Sequence, residues 1–336
     1  MRTIVFLKQF FSKSILWILF LGLSLGVISS KTNAEQTING SAWTLYGARD
    51  YQITFPKNYR PNQAYPLVIA MHGCLQNSKA FAGGARLEKF ANDYQTIILM
   101  PDQQLLANPY KCWNWFYPIN QDRSGEPAII MNMLEKVKTD YLISTDRVFA
   151  MGMSAGGATA NTLGNCYPDS FKAIASHHGI QYNATENPML AQDVFYRGPK
   201  ISPKRAADKG FRCQGNTAKN TTMPALTIQG TRGIMDPSNS VAIENQFLFF
   251  NDLLHNGKFD QSLNLVLKKT TTQTESDYDY DTYSWLDSKG VRVVERVEII
   301  GLGHSWSGGD SSYDWNDPKG PDATALIFEF FRHHGL

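Results

Sequence analysis

Short apolar runs alternate with helix-compatible stretches through most of residues 45–336, and this alternation constrains the chain more than any single residue does. The runs at 51–55, 66–71, 96–100, 147–152, 171–176 and 225–229 read as strands. Between them, 128–141 and 158–166 read as helices, as does 241–254 further on, and a last helix is expected over 321–332. Strands separated by helices build a mostly parallel sheet covered on both faces. The first strands, with polar residues in alternation, suit an antiparallel edge. Residues 280–286 and 291–300, joined by Ser288-Lys289-Gly290, read as a hairpin. Residues 181–222 are rich in Lys, Asn, Gly and Pro without a clear period, so they read as an insertion over one face. No internal repeat and no Pro- or Ser-rich linker divides the chain, and 35–336 is expected to form a single α/β domain.

Residues 1–34 stand apart. Lys8 and Lys13 precede the apolar run 15–28, polar residues follow, and Thr32-Asn33-Ala34 suits cleavage after a small residue. The run is short of the ~20 residues that span a bilayer, so a removable export signal is expected, with no stable membrane insertion after cleavage. The segment holds Arg2, Lys8, Lys13 and Lys31 and no acid, and it accounts for the formal charge of +2. Without it the remainder is near −2, which gives no reason to expect a nucleic-acid partner. A secreted or periplasmic location puts Cys74, Cys112, Cys166 and Cys213 in an oxidising setting. An even count without a CxxC pair favours two disulfides, for which three pairings are open.

The chemistry centres on Gly152-Met153-Ser154-Ala155-Gly156. A serine flanked in this way, directly after the apolar strand 147–152 and before a helix rich in small residues, suits a sharp strand–turn–helix bend that exposes the hydroxyl. A serine hydroxyl becomes a nucleophile when a neighbouring base takes its proton. His304, in Gly301-Leu302-Gly303-His304 after an apolar strand, is the candidate base. Oxyanion stabilisation takes two backbone N–H groups. Ala155, just after the serine, supplies one by rule, and Cys74, in Met71-His72-Gly73-Cys74 after an earlier strand, is the candidate for the other. His72 is expected to orient that loop. No dinucleotide fingerprint, P-loop, HExxH or EF-hand pattern occurs, so neither cofactor nor metal is expected. The alternation of Asp277, Asp279 and Asp281 with tyrosines reads as a solvated strand edge.

Taken in order, Met71-His72-Gly73-Cys74, Cys112-Trp113-Asn114-Trp115-Phe116, Gly125-Glu126-Pro127, the serine motif and Gly303-His304-Ser305-Trp306-Ser307-Gly308-Gly309 resemble the polyhydroxybutyrate depolymerase family of esterases. That family sits beside feruloyl and acetylxylan esterases in the α/β-hydrolase fold. The likeness extends over roughly residues 45–335. It implies an α/β-hydrolase fold and a Ser154/His304 esterase with the Ala155 and Cys74 amides on the oxyanion. It also implies a Cys74–Cys112 disulfide and, with it, Cys166–Cys213. One departure stands out. The family carries an Asp three residues after the Gly that ends the seventh strand; here that position is Gly233, in a loop one residue shorter. Asp236 is the nearest carboxylate, either as partner of His304 or as a cap on the helix that follows.

The implied substrates are poly- or oligo(3-hydroxybutyrate) or similar short-chain hydroxyacid esters. Trp113, Trp115 and Trp306, with Phe116 and Trp315, are expected to offer an apolar cleft for them. The chain ends at Leu336 with no separate polymer-binding module, which favours oligomers or small esters as substrate. Feruloyl- or acetylxylan-type carbohydrate esters keep the same chemistry with another leaving group. A binding protein on a catalytically impaired hydrolase scaffold is the reading that Gly233 motivates.

Overall fold

The computed structural model describes residues 36–336 except 216 and 276; the expected export signal lies outside these residues. In chain order the strands are β1 Thr37–Thr44, β2 Gly47–Thr54, β3 Tyr65–Met71, β4 Ile97–Asp102, β5 Ile143–Met153, β6 Ala173–His177, β7 Ala225–Gly230, β8 Val266–Thr272, β9 Tyr280–Leu286 and β10 Arg292–Ile299. The helices are α1 Ser78–Gly84, α2 Leu87–Asp93, α3 Gly125–Asp140, α4 Ala155–Cys166, α5 Ala191–Arg197, α6 Pro203–Cys213, α7 Ser238–Asn256 and α8 Ala323–His333.

Trp306–Ser307 pairs with Asn316–Asp317 in a separate two-stranded sheet. These ten strands form one sheet in the order β1-β2-β4-β3-β5-β6-β7-β10-β9-β8. Its middle, from β4 to β10, is parallel throughout. Both edges are antiparallel: β1 and β2 on one side, β9 and β8 on the other. The parallel strands read as unbroken apolar runs because both of their faces are covered. On β3, Leu67, Ile69 and Met71 enter one core with residues of α3, α4 and α7, such as Ile129, Leu163 and Phe247. Val68 and Ala70 enter a second core with Phe81, Phe90, Phe328 and Phe331 from α1, α2 and α8. The period of two thus splits each central strand between two apolar layers.

Sequence and structure agree on the six early strands, the hairpin and the four helices named above to within a few residues at their ends. Two edge strands were not expected: β1, and β8, which extends the hairpin to three strands. Residues 181–222 contain two helices with different roles. Helix α6 packs on α4 and α7 as part of the helical layer, while α5 reaches the C-terminal ends of the strands, where Phe195 meets His304. The insertion reaches the site through α5.

The structure has disulfides Cys74–Cys112 and Cys166–Cys213. No helix among the described residues is long and apolar enough to cross a membrane.

Candidate active site

Loops at the C-terminal ends of β3, β5, β6, β7 and β10 converge on one place, where parallel α/β sheets carry their ligands. At the centre, β5 turns into α4 through Ser154, which has φ 54° and ψ −117°. A non-glycine residue rarely holds this conformation, and the surroundings must enforce it. They do so by close approach. A Cβ on Gly152 would lie 2.4 Å from the Gly156 carbonyl carbon, and one on Gly156 would lie 2.2 Å from the Met71 carbonyl oxygen. Only hydrogen fits at either position, so the two glycines are what allow the bend to form against β3. Ser154 N–H donates to the His177 carbonyl at 2.8 Å, and the Ser154 carbonyl accepts from Ala158 N–H at 2.9 Å, opening α4.

His304 Nε2 lies 3.1 Å from Ser154 Oγ across a separation of 150 residues. Its loop is tied to the loop after β7: Thr231 N–H donates to the Ile299 carbonyl, Arg232 N–H to the Leu302 carbonyl, and Gly301 N–H to Thr231 Oγ1. The imidazole packs between Phe195 at 5.2 Å and His178 at 4.8 Å, both edge-to-face. Neither contact was legible in the sequence, where Phe195 falls in the stretch without a period and the His177-His178 pair had no assigned role. His178 Nε2 accepts from Gly230 N–H at 3.0 Å, so its Nδ1 carries the proton and donates to His177 Nδ1 at 2.8 Å. Burial pushes His177 down to about 3 and His178 well below the ordinary histidine value, so both stay neutral.

His304 Nδ1 is buried and has no hydrogen-bond partner among the described residues. The expectation that Asp236 serves this nitrogen is corrected here. The Asp236 carboxylate accepts from Ser238 N–H at 2.8 Å at the start of α7. Its backbone is held as well, by Phe195 through the N–H and by Gln229 and Asn239 through the carbonyl. Asp236 stands one residue before Pro237, the N-cap of α7, and its carboxylate is taken up by the first free N–H of that helix. Gly233 itself, at φ +131°, runs alongside the histidine: a Cβ there would sit 3.2 Å from His304 N. Burial alone lowers His304 to about 4.

The loop His72–Cys74 flanks the serine, a Cβ on Gly73 falling 3.5 Å from Ser154 Cβ. His72 is fully buried and orients this loop as expected. Its Nδ1 donates to the Gly73 carbonyl at 2.7 Å while its Nε2 accepts from Gln103 N–H at 3.0 Å. A planar trans peptide fixes the Cys74 N–H opposite the Gly73 carbonyl. Cys74 N–H donates to no protein acceptor among the described residues. The Ala155 N–H, first in α4, has no intrahelical partner by geometry. Both candidate oxyanion donors are thus free to meet a ligand.

The tryptophans expected to line a cleft are corrected. Trp113 is 0% exposed and packs 5.6 Å from His72. Trp306 is 1% exposed, stacks on His177 at 4.7 Å and donates its indole N–H to Thr324. Trp115, at 9%, packs on Phe116 at 5.5 Å. Such large apolar surfaces are worth more inside, and Trp113 and Trp306 back His72 and His177 there. Trp315, also among the expected aromatics, is exposed, and the other exposed apolar side chains of these loops are Leu75, beside Cys74, Ile234, beside Gly233, and Tyr196, beside Phe195.

The sheet order, the bend at Ser154 and the histidine after β10 define an α/β-hydrolase fold. An acetyl xylan esterase from Aspergillus awamori shares it, with a TM-score of 0.66 at 16% identity over 88% of this chain and 99% of that one. The family model for esterase PHB depolymerase matches residues 50–260, and the chain belongs to that family. It is 27% identical over 244 residues to poly(3-hydroxyalkanoate) depolymerase C of Paucimonas lemoignei, covering 71% of this chain and 54% of that protein. It is 24% identical over 317 residues to poly(3-hydroxybutyrate) depolymerase of Ralstonia pickettii, covering 90% of this chain and 59% of that protein. The chain therefore spans little more than half the length of these curated relatives.

Proposed function

We propose that this chain is an exported serine esterase that hydrolyses carboxylic esters through an acyl-enzyme. The observation that carries this reading is the 3.1 Å approach of His304 Nε2 to a serine hydroxyl perched on a strained bend. Ser154 Oγ attacks the ester carbonyl and its proton passes to His304 Nε2. The Ala155 and Cys74 amides hold the oxyanion, and the alcohol leaves with the proton from His304. Water repeats the sequence on the acyl-enzyme and releases the acid. The tautomer competent as base carries its own proton on Nδ1, which meets no carboxylate among the described residues. The base is positioned by Phe195, His178 and its loop, and turnover is expected below that of a complete triad.

The preferred substrates are poly- or oligo(3-hydroxybutyrate) or related short-chain hydroxyacid esters. The family and the activities of its relatives support this choice, as do the exposed Leu75, Ile234 and Trp315, which offer apolar contact to an acyl chain. Two disulfides and the character of residues 1–34 support export.

Hydrolysis of a chromogenic butyrate ester by the native chain and by Ser154→Ala tests the mechanism, with a loss of at least 10³-fold expected. The unpartnered His304 Nδ1 favours one rival, a binding protein on a silenced scaffold; equal rates for the two chains would select it. Release from 3-hydroxybutyrate oligomers measured beside feruloylated and acetylated xylan tests the substrate, and faster release from xylan would replace the polyester assignment.

A further inference from the structure

The Gly125-Glu126-Pro127 motif lies at the start of α3 and contributes no atom to the chemistry above, yet Glu126 is the most heavily bonded carboxylate near the site. It is 4% exposed. Oε1 accepts from Gln103 Nε2 at 2.5 Å, from Asn114 Nδ2 at 2.8 Å and from the Arg49 guanidinium at 3.3 Å, and Oε2 accepts from Asn114 N–H at 2.7 Å. Arg49 neutralises the buried charge and also donates to Gln103 Oε1 at 2.5 Å.

Two routes lead from this carboxylate to the same peptide. Through Gln103, whose backbone N–H donates to His72 Nε2, it reaches the imidazole that holds the Gly73 carbonyl. Through Asn114 and through Gln103, which also donates to the Cys112 carbonyl at 2.9 Å, it fixes the segment that carries Cys112. The Cys74–Cys112 disulfide then returns to the Cys74 backbone. A hydrogen-bonded route and a covalent route therefore converge on the Gly73–Cys74 peptide plane.

We infer that Glu126 is a positioning residue that aims the Cys74 N–H at the oxyanion, a role that rests on the esterase reading above. An oxyanion donor matters in the transition state and little in the ground state, and misplacing such a group by about 1 Å costs on the order of 10²-fold. Loss of the hub consequently lowers kcat and leaves KM nearly unchanged.

The test is Glu126→Gln in the full chain, with active serine counted by a fluorophosphonate and hydrolysis followed on a butyrate ester. We expect kcat per active site to fall about 10- to 100-fold with KM within about twofold. Inhibition by an alkyl boronic acid, which mimics the tetrahedral species, should weaken in parallel with kcat. A purely structural role would lower the melting temperature and leave kcat per active site intact, and that result overturns the inference. If the variant does not fold, Gln103→Met decides instead: it removes the link to Glu126 but keeps the backbone N–H on His72. A three- to tenfold fall in its kcat supports the role and an unchanged kcat overturns it. A native chain no faster than Ser154→Ala sinks the esterase reading first. A fast native chain with an equally fast Glu126→Gln sinks this inference alone.

Discussion

At the scale of single residues, the site is defined by which nitrogen has a partner. His304 Nε2 has Ser154, and Nδ1 has none among the described residues. Asp236 is spent on α7, so Asp236→Asn is expected to leave kcat/KM within about threefold. It should change stability by less than about 0.5 kcal/mol, because an Asn side chain accepts from the Ser238 N–H about as well as Asp does. Steady-state kinetics beside thermal melts check this, and a 10³-fold loss of kcat in a well-folded variant would restore Asp236 to catalysis. The same isolation sets the pH response. In the proposed mechanism His304 must be neutral to accept the serine proton, and burial lowers it to about 4. Activity is therefore retained down to that region and lost as pH falls through it. The acid limb of kcat/KM, measured on brief exposure, should sit near pH 4; a limb near pH 7 would show that a carboxylate reaches the imidazole after all. The bend at Ser154 and the approach of His304 were legible because local rules favour them: small neighbours for the bend, a glycine loop for the ring. The fate of Asp236 was not, since one short loop offers a carboxylate both a helix start and a histidine.

At the scale of elements, the bend between β5 and α4 depends on a backbone approach no side chain can share. Gly156→Ala drives a methyl group into the Met71 carbonyl, 2.2 Å from the ideal Cβ position. We expect it to cost at least about 3 kcal/mol or to prevent folding, and a soluble variant with a native urea midpoint would contradict the packing. The two disulfides should separate stability from turnover. Their loops span 38 and 47 residues, so on a loop-entropy estimate each contributes about 4 kcal/mol. Replacing Cys166 and Cys213 together by serine is expected to lower the melting temperature with kcat intact. The same change at Cys74 and Cys112 should lower both, because that bridge reaches the oxyanion loop. Melting curves and kcat measured on both double variants check the difference. The central strands were readable because both of their faces are buried. Strand β1 and the exposed β8 were not, since edge strands carry weak apolar patterns and are set by their neighbours.

At the scale of the molecule, three histidines meet at the C-terminal ends of the strands and are held neutral by burial: His177 at about 3, His304 at about 4 and His178 well below its ordinary value. Unfolding returns each to about 6.5, so the unfolded chain binds more protons between that value and the folded ones. Stability accordingly falls as pH drops below 6.5. The fully buried His177 and His178 each contribute up to about 1.4 kcal/mol per pH unit, and the partly exposed His304 less. Urea midpoints between pH 7 and 4 check this, and a midpoint that rises toward acid would overturn it. By itself the sequence determined the layered α/β architecture, the bend at Ser154 and the order of the loops, because periodicity and the steric needs of glycine act over neighbouring residues. Only the tertiary structure decided what meets His304 and which tryptophans are buried. It also decided where two carboxylates go, Asp236 to the start of α7 and Glu126 to Arg49, Gln103 and Asn114. Those outcomes depend on groups far apart in the chain that compete for the same space and the same hydrogen bonds, and no local rule ranks them.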